Sequence, residues 1–417
     1  MGEKKPFFYG WIVAISCFIL LAFGMGTIQI FGIFMPAIIQ TTGASVSEIT
    51  LVASIGALAA FLSNYFLVGP FIQKLGIKKS MLILGLGLPL QLFFFSIATQ
   101  VWLLYVAGAV AGIGIGFVIA PSSIILTRWF IEKRNSVIGV VFSGMCFGYI
   151  VLMPLSGRFI ANFGWQAAAL YLAIIVAVIH LVIGALFIKE GPEQKGLKPY
   201  GADKANKDEE VFGVGLQKAR KSPSYWLLFL GIVCVGFTVP GFNTFAASYW
   251  GSQGMSAIAT STYMGLFGLI GGFGILLSGF LAQKFGTKAF VAYTVIAFII
   301  GILVALRSIQ PGMVVLSVIL IGLANPLYYN TASYTTIDAF GNKDYASLIG
   351  PFQGAGLLGA AAAYQLCALL IDMTHNFVAS FSMFCIVGVV GLILIFCGLK
   401  VAPMKKANSE DSNKISA

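Results

Sequence analysis

The side chains best suited to hold a ligand stand together in Asn325-Pro-Leu-Tyr-Tyr-Asn330-Thr-Ala-Ser-Tyr334, a polar stretch inside an apolar run. Asn325 and Tyr329 are four residues apart and so share one helix face. Tyr328 and Asn330 flank Tyr329, and the set offers amides and phenols without net charge. Pro326 lacks an N–H, which leaves a backbone carbonyl one turn earlier for a ligand or water. Thr238-Val-Pro240-Gly-Phe-Asn243-Thr244 reads as a second interrupted helix, with Asn243 on it. Thr27 and Gln29 add polar groups to the first apolar run, and Tyr149 and Gln353 to later ones, as do Asn64, Tyr65, Ser143, Tyr364 and Gln365. For any one of these, a hydrogen bond between helices, worth about 0.6 kcal/mol on average, is the plainer explanation. Three tyrosines, two asparagines and a proline within ten residues go beyond what packing requires. Such a set binds and releases; it does not make or break covalent bonds.

Other chemistry is not legible. The chain has no Gly-x-x-x-x-Gly-Lys-Ser/Thr phosphate loop and no Ser-His-Asp grouping. The six cysteines all lie inside apolar runs, without metal or redox spacing. No cofactor, no metal and no enzymatic activity are therefore expected. His180 is the one intramembrane residue whose ordinary pKa lies near neutrality. A bond to a neighbouring helix is its plainer use. Arg128 and Asp338 fall at helix ends, where gate contacts are expected.

The elements that position these groups follow from composition. Hydrophobic residues make up 59% of the 417 and charged ones 9%, against about 25% charged in soluble domains. Apolar runs of about 20 residues, the length a bilayer needs, recur at 10–38, 47–72, 79–98, 101–127, 135–157, 165–188, 224–248, 257–282, 288–306, 312–335, 346–370 and 377–399. The expected fold is thus an all-α membrane protein of 12 transmembrane helices in two pseudo-symmetric six-helix halves. One bundle covers 1–188, a polar, solvated linker 189–223, a second bundle 224–400, and a disordered tail 401–417. The net charge of +11 fits the positive-inside rule rather than nucleic acid. With both termini cytoplasmic, only Arg158 and Arg307 of the 25 Lys and Arg fall outside. All six tryptophans sit at span ends, as an aromatic belt would. Glycines crowd spans 4, 5, 8 and 11, where close helix packing or sliding is expected. The first run is too long for a signal peptide and lacks a cleavage site.

Between spans 2 and 3 stands Gly69-Pro-Phe-Ile-Gln-Lys-Leu-Gly-Ile-Lys-Lys79, and 210 residues on, Gly279-Phe-Leu-Ala-Gln-Lys-Phe-Gly-Thr-Lys288. Gly69, Gln73, Lys74, Gly76 and Lys78 correspond to Gly279, Gln283, Lys284, Gly286 and Lys288. A basic, Gly-bearing turn repeated once per half marks a duplicated chain. With the long central loop, this resembles the major facilitator superfamily, whose signature after helix 2 runs Gly-x-x-x-Asp-Arg/Lys-x-Gly-Arg/Lys-Arg/Lys. The family Asp, part of a charge relay that favours the outward-open state, is replaced by Gln73 and Gln283. Arg128-Trp-Phe-Ile-Glu-Lys-Arg134 followed by Gly139, Gly144 and Gly148 is similar to the pattern of monocarboxylate and oxalate/formate porters. Tyr9-Gly-Trp11, Phe31-Gly-Ile-Phe34 and Ser222-Pro-Ser-Tyr-Trp226 fit the same branch.

The resemblance implies a monomeric secondary transporter of the cell membrane. It would move a small organic solute, a monocarboxylate or related organic anion, by alternating access, with a co-transported or exchanged ion. A neutral or zwitterionic solute and a non-transporting sensor are the alternatives. Helices 1, 4, 7 and 10 would face the cavity, so Gln29, Asn243, Asn325, Tyr328, Tyr329 and Asn330 become binding candidates, joined by Tyr149 and Gln353 as polar groups inside the remaining spans. Gly69, Gln73, Lys74, Gly76, Lys78, Arg128, Gly279, Gln283 and Lys284 become gating candidates. The chain departs from the branch where charge is usual: Gln29 stands at a common Lys position, Ile275 at a common Arg, and Phe352 and Gln353 near a Lys of oxalate-type members.

Overall fold

A computed structural model describes residues 8–132, 134–202, 213–307, 310–341 and 343–403. Residues 203–212 of the linker and 404–417 of the tail lie outside the described residues, as do Lys133 and the side chains of Tyr65 and Arg134. Among the described residues nine helices are long and apolar enough to cross a membrane. Two of them, Arg134–Leu186 and Ala257–Arg307, fold back at Gly164 and Gly286 and so contribute two spans each. Val46–Leu62 continues through a π-helical turn at Ser63–Leu67 into Val68–Leu75 and reaches spanning length that way. In chain order the segments match the twelve apolar runs, and spans are numbered here by those runs.

The duplicated turn has one backbone conformation in both copies. Gly76 lies at φ 82°, ψ 164° and Gly286 at φ 81°, ψ 158°. Residues with a Cβ rarely adopt this region, so the repeat needs glycine there. Gly164 has the same geometry, φ 77° and ψ 165°. It closes Gly157-Arg-Phe-Ile-Ala-Asn-Phe-Gly164, a third copy with the same seven-residue glycine spacing. This copy lies between spans 5 and 6, at the opposite end of the bundle. Its Lys positions hold other residues, which hid it from a search keyed on charge.

Three hydrophobic cores organise the spans. One contains Ile33, Phe34, Tyr149 and Leu152 from the first half with Phe242, Phe267, Ala324 and Phe381 from the second. The other two are separate. One is built from first-half residues such as Val13, Met81, Trp129 and Val141, the other from second-half residues such as Tyr225, Phe290, Phe340 and Leu399. The shared core occupies the end away from Gly10 and Lys400; the split cores occupy the end that carries them. The halves therefore meet at the far end and part at the near end. Across the join, span 5 packs on span 8, span 2 on span 11 and span 1 on span 7.

Several expectations are corrected. Span 7 is one continuous helix, Pro223–Ser252, despite Pro240 and Gly241. Span 1 instead is interrupted, between Gly10–Gln29 and Phe31–Thr42, at Ile30. Trp129 and Trp250 are fully buried and Trp165 nearly so; only Trp102 and Trp226 are strongly exposed as belt residues would be. Depth at a span end does not decide which way a ring points. The described linker is not wholly solvated. Tyr200 pairs with the turn after span 4, its N–H donating to the Trp129 carbonyl at 2.8 Å. Its ring packs against Phe8, Trp11 and Phe130. Val214 donates to the Phe340 carbonyl at 2.9 Å, so the other end of the linker is held at the turn after span 10.

Candidate functional site

Span 10 breaks where the polar stretch begins. Pro326 starts a new helix, Pro326–Phe340, after Pro311–Ala324. The carbonyl that Pro326 leaves free belongs to Gly322. It accepts from the Asn325 N–H at 3.0 Å, so it is not left for a ligand. What the break supplies is the Asn325 side chain, only 1% exposed and pressed against Gly271 of span 8. A Cβ at Gly271 would overlap that amide.

Around Asn325 four spans converge. Its amide nitrogen donates to the Cys146 sulfur of span 5 at 3.3 Å. One residue before Cys146, the Met145 carbonyl accepts from Gln29 Nε2 at 2.8 Å. The same nitrogen reaches the Tyr329 hydroxyl at 3.4 Å. Gln29 stands next to the Ile30 break of span 1, as Asn325 stands at the break of span 10. Tyr149, one turn beyond Cys146, is buried, its ring edge-on to Phe267 at 5.7 Å and its Cβ against Gly268. Tyr328 packs edge-on to Tyr329 at 4.9 Å. Thus Gln29, Tyr149, Asn325, Tyr328 and Tyr329 come together at mid-depth, on the join between the halves.

Polar atoms in this group are left without partners. Gln29 Oε1, the Tyr149 hydroxyl and Asn325 Oδ1 are buried and unpaired, as are Asn243 Oδ1, Thr331 Oγ1 and Gln365 Oε1 elsewhere in the spans. An unsatisfied buried polar atom costs about 1–3 kcal/mol. Three within one cluster is a cost that a bound solute would offset.

The far end is closed over this cluster. The Asp372 carboxylate, near the end of span 11, accepts from the Val46 and Ser47 N–H groups at 3.0 and 2.9 Å. It thereby caps span 2 of the other half, beside the Ser45–Glu48 capping box. Deeper, Ser54 donates to the Ala361 carbonyl at 3.1 Å, and Gly32 lies against the Thr244 carbonyl. Toward the near end the halves pack around separate cores. Gly354 of span 11 meets Phe61 of span 2, but a Cβ at Gly350, one turn nearer the termini, would meet nothing within 4 Å. Gly139 lies two turns from Cys146 on one face of span 5 and is equally unobstructed.

The remaining candidates fall elsewhere. Asn330 turns into its own half: its amide donates to Ser278 at 2.6 Å and to Tyr334 at 3.4 Å. One step along a helix turns a side chain by about 100°, which separates it from Tyr329. Asn243 lies beside the span 1 contact at Gly32, outward of the cluster. Gln353 is exposed and shares a face with Gly350. Gln73, Lys74, Gln283, Lys284, Gly69 and Arg128 are exposed at near-end turns. Lys284 lies over the Phe280 and Phe285 rings, and a Cβ at Gly279 would lie 3.6 Å from the Tyr334 hydroxyl. The turn at Gly76 is tied to the start of the linker, where the Lys78 N–H donates to Glu190 at 2.9 Å, and to the end of span 6, where its Nζ donates to the Ala185 carbonyl at 2.6 Å. His180 meets the Met81 carbonyl at 3.1 Å, a bond between spans 6 and 3. Sequence reading missed Cys146 and Asp372. A lone thiol in an apolar run and a lone acid at a span end carry no pattern.

Known proteins resemble the chain at several levels. The family profile described as Major Facilitator Superfamily matches residues 15–364 and again 271–417. Monocarboxylate transporter 7 of Homo sapiens is 26% identical over 226 residues, 51% of this chain and 40% of that protein. The chain thus spans about two fifths of that relative's length. Monocarboxylate transporter 11 of Mus musculus is 24% identical over 89% of this chain and 83% of its own. The cis,cis-muconate transport protein of Acinetobacter baylyi is 25% identical over 61% and 62%. Among solved structures, a bacterial homologue of the human lysosomal transporter Spinster, inward-facing and unoccupied, superposes with TM-score 0.72 at 16% identity, covering 96% of this chain and 98% of that one. The nucleoside transporter NupG gives 0.71 at 14% identity over 94% and 98%. These two show the fold.

Proposed function

Because the chain belongs to the Major Facilitator Superfamily, we propose that it is a secondary transporter of small organic acids, monocarboxylates above all, working by alternating access across a cell membrane. The observation that carries this reading is the uncharged cluster of Gln29, Tyr149, Asn325, Tyr328 and Tyr329. It lies on the join between halves that are closed beyond it and parted before it. Sites of this architecture lie near the midplane between the repeats. With the basic turns cytoplasmic, the arrangement described is the inward-open one. The curated relatives supply the substrate class, as the names of the human and mouse proteins state it.

Reconstituted protein in vesicles loaded with unlabelled lactate should accumulate labelled lactate by counterflow. Flux no greater than in protein-free vesicles, for lactate, pyruvate and formate alike, would overturn the assignment.

A further inference from the structure

Two more amides with an unpaired atom lie outward of the cluster, inside the closed far end. Asn243 Oδ1 of span 7 and Gln365 Oε1 of span 11 are buried without a partner. Spans 7 and 11 both run from the near end to the far end, and a ladder of contacts fixes their register. Gly236 lies against Gly356, Gly359 against Val233 and Phe237, and Gly241 against Ala363. One step further out, the Tyr364 hydroxyl reaches the Thr244 side chain. Asn243 and Gln365 therefore stand at one depth.

They also point the same way. Each step along an α-helix turns a side chain by about 100°. Asn243 precedes Thr244 and Gln365 follows Tyr364, so in two parallel helices both swing from that contact to the same side of the seam. Gly241 and Ala363 mark the opposite side, where Phe384 of span 12 packs on Gly241. The side the amides take is the one that meets the first half. There Gly32 of span 1 lies against the Asn243 and Thr244 carbonyls, and Ser54 of span 2 donates to the Ala361 carbonyl at 3.1 Å. Gly32 follows Gln29 by about one turn, and Asp372 follows Gln365 by about two. The pair thus stands between the mid-depth cluster and the Asp372 cap. Sealed against the other half, its idle acceptors are a cost. Once spans 1 and 2 withdraw from spans 7 and 11, both amides face the way in from the far side.

We propose that Asn243 and Gln365 form an outer binding position, exposed only when the far end is open, that recognises the hydroxyl of a 2-hydroxy acid before the solute reaches the cluster. This rests on the transport reading above and gives that transport a sided specificity. A hydroxyl donates and accepts, so it pairs with an amide whichever end of the amide it meets. A solute without one leaves these amides as idle as the closed seal does.

The test compares labelled lactate with labelled propionate, which lacks the hydroxyl, in right-side-out and inverted membrane vesicles at one pH. Vesicles without the protein supply the passive rate to subtract. A change in the seal alters both acids alike, so the ratio of their half-saturation concentrations cancels it. The protein should favour lactate over propionate more strongly from the far side than from the near side. Asn243→Leu and Gln365→Leu should each lower the far-side preference about fivefold, the worth of one hydrogen bond, and leave the near-side preference unchanged. Alanine at either position should do the same where leucine disturbs insertion. Equal preference from both sides in the parent, an equal loss from both sides in the variants, or no loss in any variant overturns the proposal and leaves the transporter assignment standing. Carrier flux of neither acid overturns both.

Discussion

Asn325 and Gln29 each stand beside a break in their helix, and each spends its amide nitrogen on the same stretch of span 5. Removing the Asn325 amide strips a bond between the halves, and removing the Gln29 amide strips one within the first half and a longer one to Tyr329 of the second. Asn325→Ala should slow uptake by roughly tenfold, the worth of one or two hydrogen bonds at about 1.4 kcal/mol. Tyr329→Phe should cost less, since its bond to Gln29 is 3.4 Å long. Uptake unchanged in both, with normal insertion, would move the site elsewhere. Gly271→Val tests the same place by sterics. Its side chain would fall on the Asn325 amide and should abolish uptake. At Gly139, where a side chain meets open space, the same change should be tolerated.

At the scale of elements, the far-end closure is carried by one carboxylate on a helix N-terminus of the other half. Asp372 accepts two N–H bonds there, and bonds to a charged group contribute about 1.5–3 kcal/mol. Asp372→Asn weakens an interaction tied to the far-closed state. It should raise labelling of a cysteine placed at Ser54, which lies under that closure, by impermeant maleimide. Unaltered labelling would show that the cap does not hold the state. The near-end turns should act in the opposite sense. Gln73 occupies the acidic position of the repeated turn and is exposed. Gln73→Asp should favour the near-closed state and lower labelling of Gly350→Cys, which sits in the open part. Equal labelling in mutant and parent would count against a gating role for that turn.

For the whole molecule, one shared core and two split ones are the arrangement that the proposed rocking about the middle needs. A disulfide between cysteines at positions 54 and 361, whose side chain and carbonyl already meet at 3.1 Å, would pin the far end shut. Oxidation should stop counterflow and reductant should restore it. Full flux after complete cross-linking would exclude far-end opening as a step. The apolar runs, the basic turns and the polar stretch at 325–334 were legible in the chain because each depends on local composition, on what a bilayer or a tight turn accepts at that point. Two copies of the turn were read, and the third was missed only where its lysines are absent. The interrupted helix was rightly expected at Pro326 and wrongly at Pro240, since a proline marks where a hydrogen bond is lost but neighbouring packing decides whether the axis breaks. Which end of the molecule is closed, why Asn330 turns away while Asn325 turns in, and how Met145, Cys146 and Asp372 enter the account were decided only by tertiary structure. Met145, Cys146 and Asp372 meet partners more than a hundred positions away, and Asn330 meets Ser278 52 positions back; such meetings are set by how the helices pack on one another, not by any periodicity along the chain.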